Sequence, residues 1–270
     1  MSNPNKDLWE KGDFTRIAQA MRTAGSGLVD ELGIRPDMKV LDLGSGDGTT
    51  AVPAARLGAD VLGVDIASNL VAAGNERAKA EGLTNLRFEE GDASQLDNLP
   101  DESFDLVVTV FGAMFAPRPY DVAKEMARVT QPGGRIVMGN WIPGDPTLVA
   151  QILKIASAYS PPPPDGFVSP MTWGLEDEVA NRFREAGVDP ESVTFERREY
   201  RFEHDGPPGE LLKLFREYYG PTMNAYAAAD ASGKADELHG ELDELFASQN
   251  DGGPEHTSIG ATYLLVTATR

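Results

Sequence analysis

At 270 residues, with 41% hydrophobic and 25% charged side chains, the chain can bury one sizeable core with insertions, or two small domains at most, and is far from a disordered composition. Its 43 acidic against 24 basic residues leave a formal charge of -19, which opposes binding to phosphate backbones or anionic lipid and argues against nucleic acid as a partner. The absence of cysteine excludes a disulfide framework, a thiolate nucleophile and a cysteine-held metal, and no metal site is expected.

The N-terminal stretch "MSNPNKDLWEKGD" lacks the apolar core of a secretion signal, and no run approaches the length of a membrane span, so a cytoplasmic protein without membrane insertion is expected. Residues 1–37 read as one or two helices ("DFTRIAQAMRTAGSGLVDELG"). From 38 to 141, short β-branched runs ("KVLDLG", "DVLGVD", "LRFEEGD", "FDLVVTV", "GRIVMGNW") alternate with amphipathic stretches, the pattern of βαβ units on a parallel sheet. Pro53 falls in the first turn of the first of these helices, where its missing N–H costs little, and Gly58 is its expected stop. Ser68 is the expected N-cap of "NLVAAGNERAKAE", which Gly82 ends. A fourth amphipathic helix, "PYDVAKEMARVT", is expected to close in a turn at "QPGG".

Beyond Trp141 the pattern changes. A helical "TLVAQILKIASAYS" precedes "PPPP" at 161–164, a stiff connector barred from helix by its missing amide donors. Then come the helix "LEDEVANRFREAG" and the alternating strand "VTFERREYRFEH", whose Arg197-Arg198 pair reads as a solvated sheet face. Two stretches of helical period follow, "GELLKLFREYYGPTMNAYAAAD" and "KADELHGELDELFASQN", before a last strand, "TSIGATYLLVTATR".

In an open parallel sheet ligands sit outside the carboxyl ends of the strands. The first strand delivers Gly44, Ser45, Gly46 and Gly48, the second Asp65, the third Asp92, and the fourth Thr109, Val110 and Phe111. Glycines at 44 and 46 permit positive φ and let a ligand pack on bare main chain. Asp65 can take both hydroxyls of a ribose, and Asp92 can accept from an exocyclic amine. Singly, a glycine turn is often only a tight turn and a loop aspartate only a cap. Their order on successive strand ends is what carries the reading. The row Gly44-x-Gly46-x-Gly48 lacks the third glycine offset of a dinucleotide site, whereas Asp65 fits either kind of nucleoside.

The run "VLDLGSGDG…VLGVDIASNLVAAG…FEEGDASQLDNLPDESFDLVVTVFGAMF…EMARVTQPGGRIVMGNW" resembles the class I S-adenosylmethionine-dependent methyltransferases, most of all the branch that includes the ubiquinone and menaquinone biosynthesis C-methyltransferases. The resemblance covers 38–141 and implies a Rossmann-like, doubly wound, mostly parallel α/β sheet of seven strands, its last strand inserted antiparallel beside the strand at 193–204. It implies a single methyltransferase domain over 1–270: an N-terminal helical cover at 1–37, a cofactor-binding core at 38–141, helical lid insertions at 142–174 and 205–256, and a last strand at 257–270. The implied cofactor is S-adenosyl-L-methionine, leaving as S-adenosyl-L-homocysteine. Gly44, Ser45 and Gly46 would cradle its methionine part, with Asp42 orienting the ammonium or, alternatively, satisfied by loop amides. Asp65 would hold the ribose, Ile66 would pack on the adenine, Asp92 would accept the adenine amine with Ala93 in support, and Phe111 would face the acceptor.

In-line methyl transfer is mainly positioning work, and a base is needed only for a protonated acceptor. Where relatives place polar catalytic groups after the fourth strand, this chain has "FGAMFAPRP". Among its histidines, 204, 239 and 256, only His256, at the edge of the expected lid, is a candidate base. Met114, Phe115, Trp141, Trp173, Tyr218 and Tyr219 are candidates to line an apolar pocket for a small apolar or aromatic acceptor, with core packing the competing explanation. Two other functions fit parts of the pattern: a noncatalytic S-adenosylmethionine-binding regulator, and a nicotinamide-dependent oxidoreductase. The latter would need the missing glycine and a Tyr-Lys or His-Asp arrangement that the chain lacks.

Overall fold

The near-continuous apolar runs become strands covered on both faces, as parallel strands must be. β1 (Lys39–Leu43) and β2 (Asp60–Asp65) each bury every residue after the first. In the computed structural model, which describes residues 5–270, they join β3 (Leu86–Glu90), β4 (Phe104–Val110), β5 (Thr130–Trp141), β6 (Val193–His204) and β7 (Thr257–Thr269) in one seven-stranded sheet of order β3-β2-β1-β4-β5-β7-β6. The first five strands pair in parallel; β7 runs antiparallel between β5 and β6, as the resemblance implied.

Among the described residues ten α-helices surround the sheet: α1 (Lys6–Glu10), α2 (Thr15–Glu31), α3 (Ala51–Arg56), α4 (Ser68–Ala80), α5 (Pro119–Val129), α6 (Leu148–Tyr159), α7 (Glu176–Glu185), α8 (Pro208–Tyr218), α9 (Gly220–Ala231) and α10 (Ala235–Ser248). One apolar cluster packs Val29, Val52 and Ala55 against Val40, Val61 and Leu106; a second packs Met126, Ile152, Phe183, Leu212 and Phe246 against Val107, Met138 and Val266. β6 is an edge strand, and its outer positions carry charge, including Arg198 paired with Glu31. Such charges keep an open edge from pairing with another chain. No helix among the described residues is long and apolar enough to cross a membrane.

Local expectations fail in three places. Ser68 does not cap α4: it is the first helical residue, and both its N–H and hydroxyl donate to Glu10 Oε1, at 3.0 and 2.6 Å. The N-cap position is Ala67, whose N–H goes to Asp65 Oδ1 at 2.9 Å. The "QPGG" segment is not a free turn but the irregular entrance to β5, with Gly133 at φ 78° and its N–H bonded to Arg270 O at 2.6 Å. The helical stretch at 209–230 breaks into α8 and α9 at Tyr219, which is extended (φ -93°, ψ 109°). Pro221, lacking an amide proton, cannot carry an α-helical ladder through that point.

Candidate functional site

Chain order in the sheet reverses between β1 and β4, where the carboxyl ends of an α/β sheet open a crevice. The loops leaving these two strands abut main chain to main chain: a Cβ on Gly44 would lie 2.6 Å from Gly112 Cα, and one on Gly112 only 2.3 Å from Gly44 O. Gly44, at φ 69°, and Gly46, at φ 54°, adopt the left-handed conformation that glycine takes without strain. Gly46 faces open space where a side chain would stand.

The loop is tied to β2. Gly44 and Ser45 both donate to Val64 O, at 2.7 and 3.1 Å, and Gly46 N–H donates to Asp65 Oδ2 at 2.8 Å. Asp65 thus spends one lone pair of each oxygen on backbone amides, which fixes its carboxylate at the crevice; burial nonetheless pushes its pKa up against those amide bonds. Asp42 is 2% exposed and its Oδ2 has no partner. Burial raises its carboxyl to about 7, opposed by the Ala51 amide and reinforced by the Asp65 charge. Ser45 Oγ and Asp47 Oδ1 are likewise buried without partners, while Asp47 Oδ2 accepts from Arg22 Nη2 at 2.7 Å.

These groups floor one end of an open cavity. Asp42, Gly44, Ser45, Gly46, Asp47, Asp65, Ile66, Gly91 and Ala93 line that end; Trp9, Phe14, Phe111, Phe115, Trp141, Tyr200, Phe202, Phe215 and Tyr219 wall the other. No lysine, arginine or histidine lines it among the described residues. Phe111 holds φ 70°, a conformation that costs a bulky residue about 1–3 kcal/mol. Its ring stacks on Trp141 at 3.6 Å and meets the edges of Tyr200 and Tyr263 at 5.1 and 5.4 Å, contacts that hold it there. Tyr200 donates its hydroxyl to Met21 O at 2.9 Å. Burial pushes the Tyr219 phenol well above its ordinary pKa, so it stays protonated at neutral pH.

The fold therefore brings together Asp42, Gly44, Ser45, Gly46, Asp65, Ile66, Ala93, Phe111, Phe115, Trp141 and Tyr219 from the sequence reading. It leaves five others off the cavity wall: Asp92, Met114, Trp173, His256 and Tyr218, the last half-buried beside Tyr219. Asp92 turns away: its Oδ1 accepts from the Ser94 amide and hydroxyl at 2.8 and 2.6 Å, and Arg118 lies 3.7 Å from Oδ2. Met114, 1% exposed, packs in the core. Trp173, equally buried, is covered by the Arg182 guanidinium at 4.6 Å and meets Phe183 at 6.4 Å. His256 is 44% exposed and bound to Glu203 and Asp205, at 3.0 and 3.5 Å. Sequence reasoning missed Trp9 and Phe14, although large aromatics in a polar N-terminus were a visible signal. It also missed Tyr200 and Phe202, whose i, i+2 spacing on β6 puts both on one face.

A sequence profile described as a methyltransferase domain matches residues 41–138. An uncharacterised protein of Mycobacterium tuberculosis is 35% identical over 243 residues, 89% of this chain and 86% of that one. A demethylmenaquinone methyltransferase of Beutenbergia cavernae is 39% identical over 113 residues, 42% of this chain and 45% of that one. In fold, the chain is similar to the Haemonchus contortus phosphoethanolamine N-methyltransferase 2 solved with S-adenosylhomocysteine, with a TM-score of 0.61, 15% identity, and 98% of this chain and 59% of that one covered. The profile, the partial match to the demethylmenaquinone methyltransferase and the sheet order agree, and the chain belongs to the class I S-adenosylmethionine-dependent methyltransferases.

Proposed function

We propose that this methyltransferase acts on a small apolar or aromatic acceptor, chiefly by positioning. The carrying observation is the two-ended cavity: orphaned acids and bare main chain at one end, aromatic rings at the other, and no cationic or histidine side chain on its wall among the described residues.

The chain's residues suit the cofactor. Asp42 Oδ2 and Ser45 Oγ are buried acceptors lacking partners, and the open space at Gly46 is what a ligand on the main chain requires. When bound, S-adenosylmethionine supplies a methyl group on a positively charged sulfur. In this reading Gly44, Ser45 and Gly46 cradle its methionine part and Asp42 takes the ammonium, a charge that lowers the carboxyl's raised pKa. Asp65, already oriented by two amides, keeps lone pairs for ribose hydroxyls. Ile66 packs on the adenine. With Asp92 engaged by Ser94, the adenine edge falls to the backbone of Gly91 to Ala93, and Asp92 shapes that turn.

At the other end Phe111, Phe115, Trp141 and Tyr219 bound the acceptor, joined by Trp9, Phe14 and Phe215. The elements at 142–174 and 205–256, with the N-terminal helices, serve as cover over the core of a single domain. Tyr219, protonated, donates a hydrogen bond and does not remove a proton. His256, tied to surface acids away from the cavity, is set aside as base. The protein's work is alignment of the nucleophile and exclusion of water, which suits an acceptor that reacts without a protein base.

Calorimetric titration with S-adenosylhomocysteine and NADH, followed by transfer from labelled donor to a panel of neutral aromatic, aliphatic and charged acceptors, tests the reading. Expected are homocysteine-nucleoside binding without NADH binding, and transfer confined to neutral aromatic or apolar members. Transfer confined to charged acceptors would refute the acceptor class.

A further inference from the structure

Residues 5–14 form a strap that touches both ends of the cavity. Its helix α1 fully buries none of its residues, so polar contacts and the half-buried Trp9 ring hold it. Toward the cofactor end, Lys6 Nζ donates to Ile66 O at 2.9 Å and pairs with Glu90 at 2.5 Å and Glu10 at 2.8 Å. Glu10 Oε1 also receives both Ser68 donors, and Asn69 Nδ2 donates to Gly12 O at 3.3 Å. Toward the helical insertion, Lys11 Nζ donates to Asn224 Oδ1 at 2.8 Å. Main chain meets main chain there too: a Cβ on Gly12 would lie 2.3 Å from Tyr218 O, and one on Gly220 2.7 Å from Leu8 O. Between these anchors Trp9 reaches the aromatic end, its ring 5.0 Å from Phe115, 5.9 Å from Phe14 and 6.1 Å from Tyr219.

We infer that Trp9 is an acceptor-binding residue, the movable wall of the aromatic compartment, and that Lys6 and Glu10 are positioning residues that make its placement depend on cofactor occupancy. The inference rests on the proposed cofactor site. Ile66 and Ser68, which the strap grips, lie on the turn that Asp65 organises through the Ala67 amide. A ligand held by Asp65 and Ile66 stiffens that turn and, through it, the strap. With the turn loose, the strap and Trp9 are held only by half-buried contacts, since no side chain along α1 is fully buried. Occupancy then runs in order: cofactor first, acceptor second.

The experiment uses the full chain with S-adenosylhomocysteine and, as a neutral flat probe of the aromatic compartment, 2-naphthol. Hydrogen exchange over residues 5–14, and the fluorescence difference between native protein and Trp9→Phe, report the strap directly. Expected: S-adenosylhomocysteine slows exchange in the strap, shifts the Trp9 signal and tightens 2-naphthol binding at least fivefold. Trp9→Ala weakens 2-naphthol at least fivefold while the S-adenosylhomocysteine Kd stays within twofold. The double variant Lys6→Met with Glu10→Gln still binds S-adenosylhomocysteine but loses the enhancement of 2-naphthol binding. The inference is overturned if S-adenosylhomocysteine binds with no change in strap exchange, if 2-naphthol fails to bind its complex, or if 2-naphthol binds equally with and without it. A native protein that does not bind S-adenosylhomocysteine at all overturns the cofactor site first and the strap inference with it.

Discussion

Replacing Asp42 with asparagine should stabilise the ligand-free protein and weaken its hold on the cofactor. The folded carboxyl keeps its proton up to about 7, whereas its ordinary value is 3.8. The native state therefore binds more protons across that window, so this group's contribution to stability is full below about pH 4 and is lost as pH rises through about 7. The interval corresponds to roughly 4 kcal/mol of penalty on the ionised form at alkaline pH. An asparagine removes the charge but still buries a polar group and loses the charge-assisted bond from the Ala51 amide, so about half of that, ~2 kcal/mol, should be recovered. At about 2–4 °C per kcal/mol in a chain of this size, Asp42→Asn gains roughly 4–8 °C in Tm near pH 8 and little near pH 4. Scanning calorimetry at both pH values measures the difference, and calorimetric titration should show S-adenosylhomocysteine binding weakened more than tenfold. In the unaltered protein, affinity should rise between about pH 6 and pH 8, because the ammonium prefers an ionised partner. A variant no more stable at pH 8 than at pH 4, relative to the parent, would refute the assignment of a strained, desolvated carboxylate.

Asp65→Ala should weaken S-adenosylhomocysteine well beyond tenfold, more than about 1.4 kcal/mol, and also lower Tm, since the Gly46 and Ala67 amides lose their acceptor; unchanged calorimetric affinity would remove Asp65 from the site. Gly112→Ala forces a methyl to 2.3 Å from Gly44 O, so the two strand-end loops must part; binding should fall at least tenfold in the soluble variant, and undiminished affinity would contradict the seam. Trp173→Ala should cost about 3–5 kcal/mol of stability in denaturant titration yet leave the S-adenosylhomocysteine Kd within twofold, because its ring packs under Arg182 and off the cavity wall.

The end of the cavity floored by the glycine loop was legible because its signals are local. The strand that runs into glycines, and the acids that close the next strands, are fixed by backbone conformation and by sheet order, and both are written in short contiguous segments. What was not legible was the direction in which a side chain leaves a loop. Asp65 ends β2 and Asp92 lies two residues past β3, but a serine two residues on captures Asp92 while backbone amides aim Asp65 into the crevice. Ser68 looks like a cap until Glu10, from a distant segment, claims both its donors. The acceptor end is assembled from residues far apart in the chain, so Trp9, Tyr200 and Phe215 could be joined only by the fold; Trp173, of the same residue type as two wall residues, went to the core instead.

The walls of the cavity also differ in origin. One end is drawn almost wholly from a continuous stretch near β1 to β3, while the opposite end is assembled from the N-terminus, the β4 exit loop, the end of β5, the edge strand and the kink at Tyr219. Substitutions at Trp9, Tyr200, Phe202 or Phe215 leave the hydrogen bonds of Gly44, Ser45, Gly46 and Asp65 untouched, so the two ends of the cavity can be altered separately.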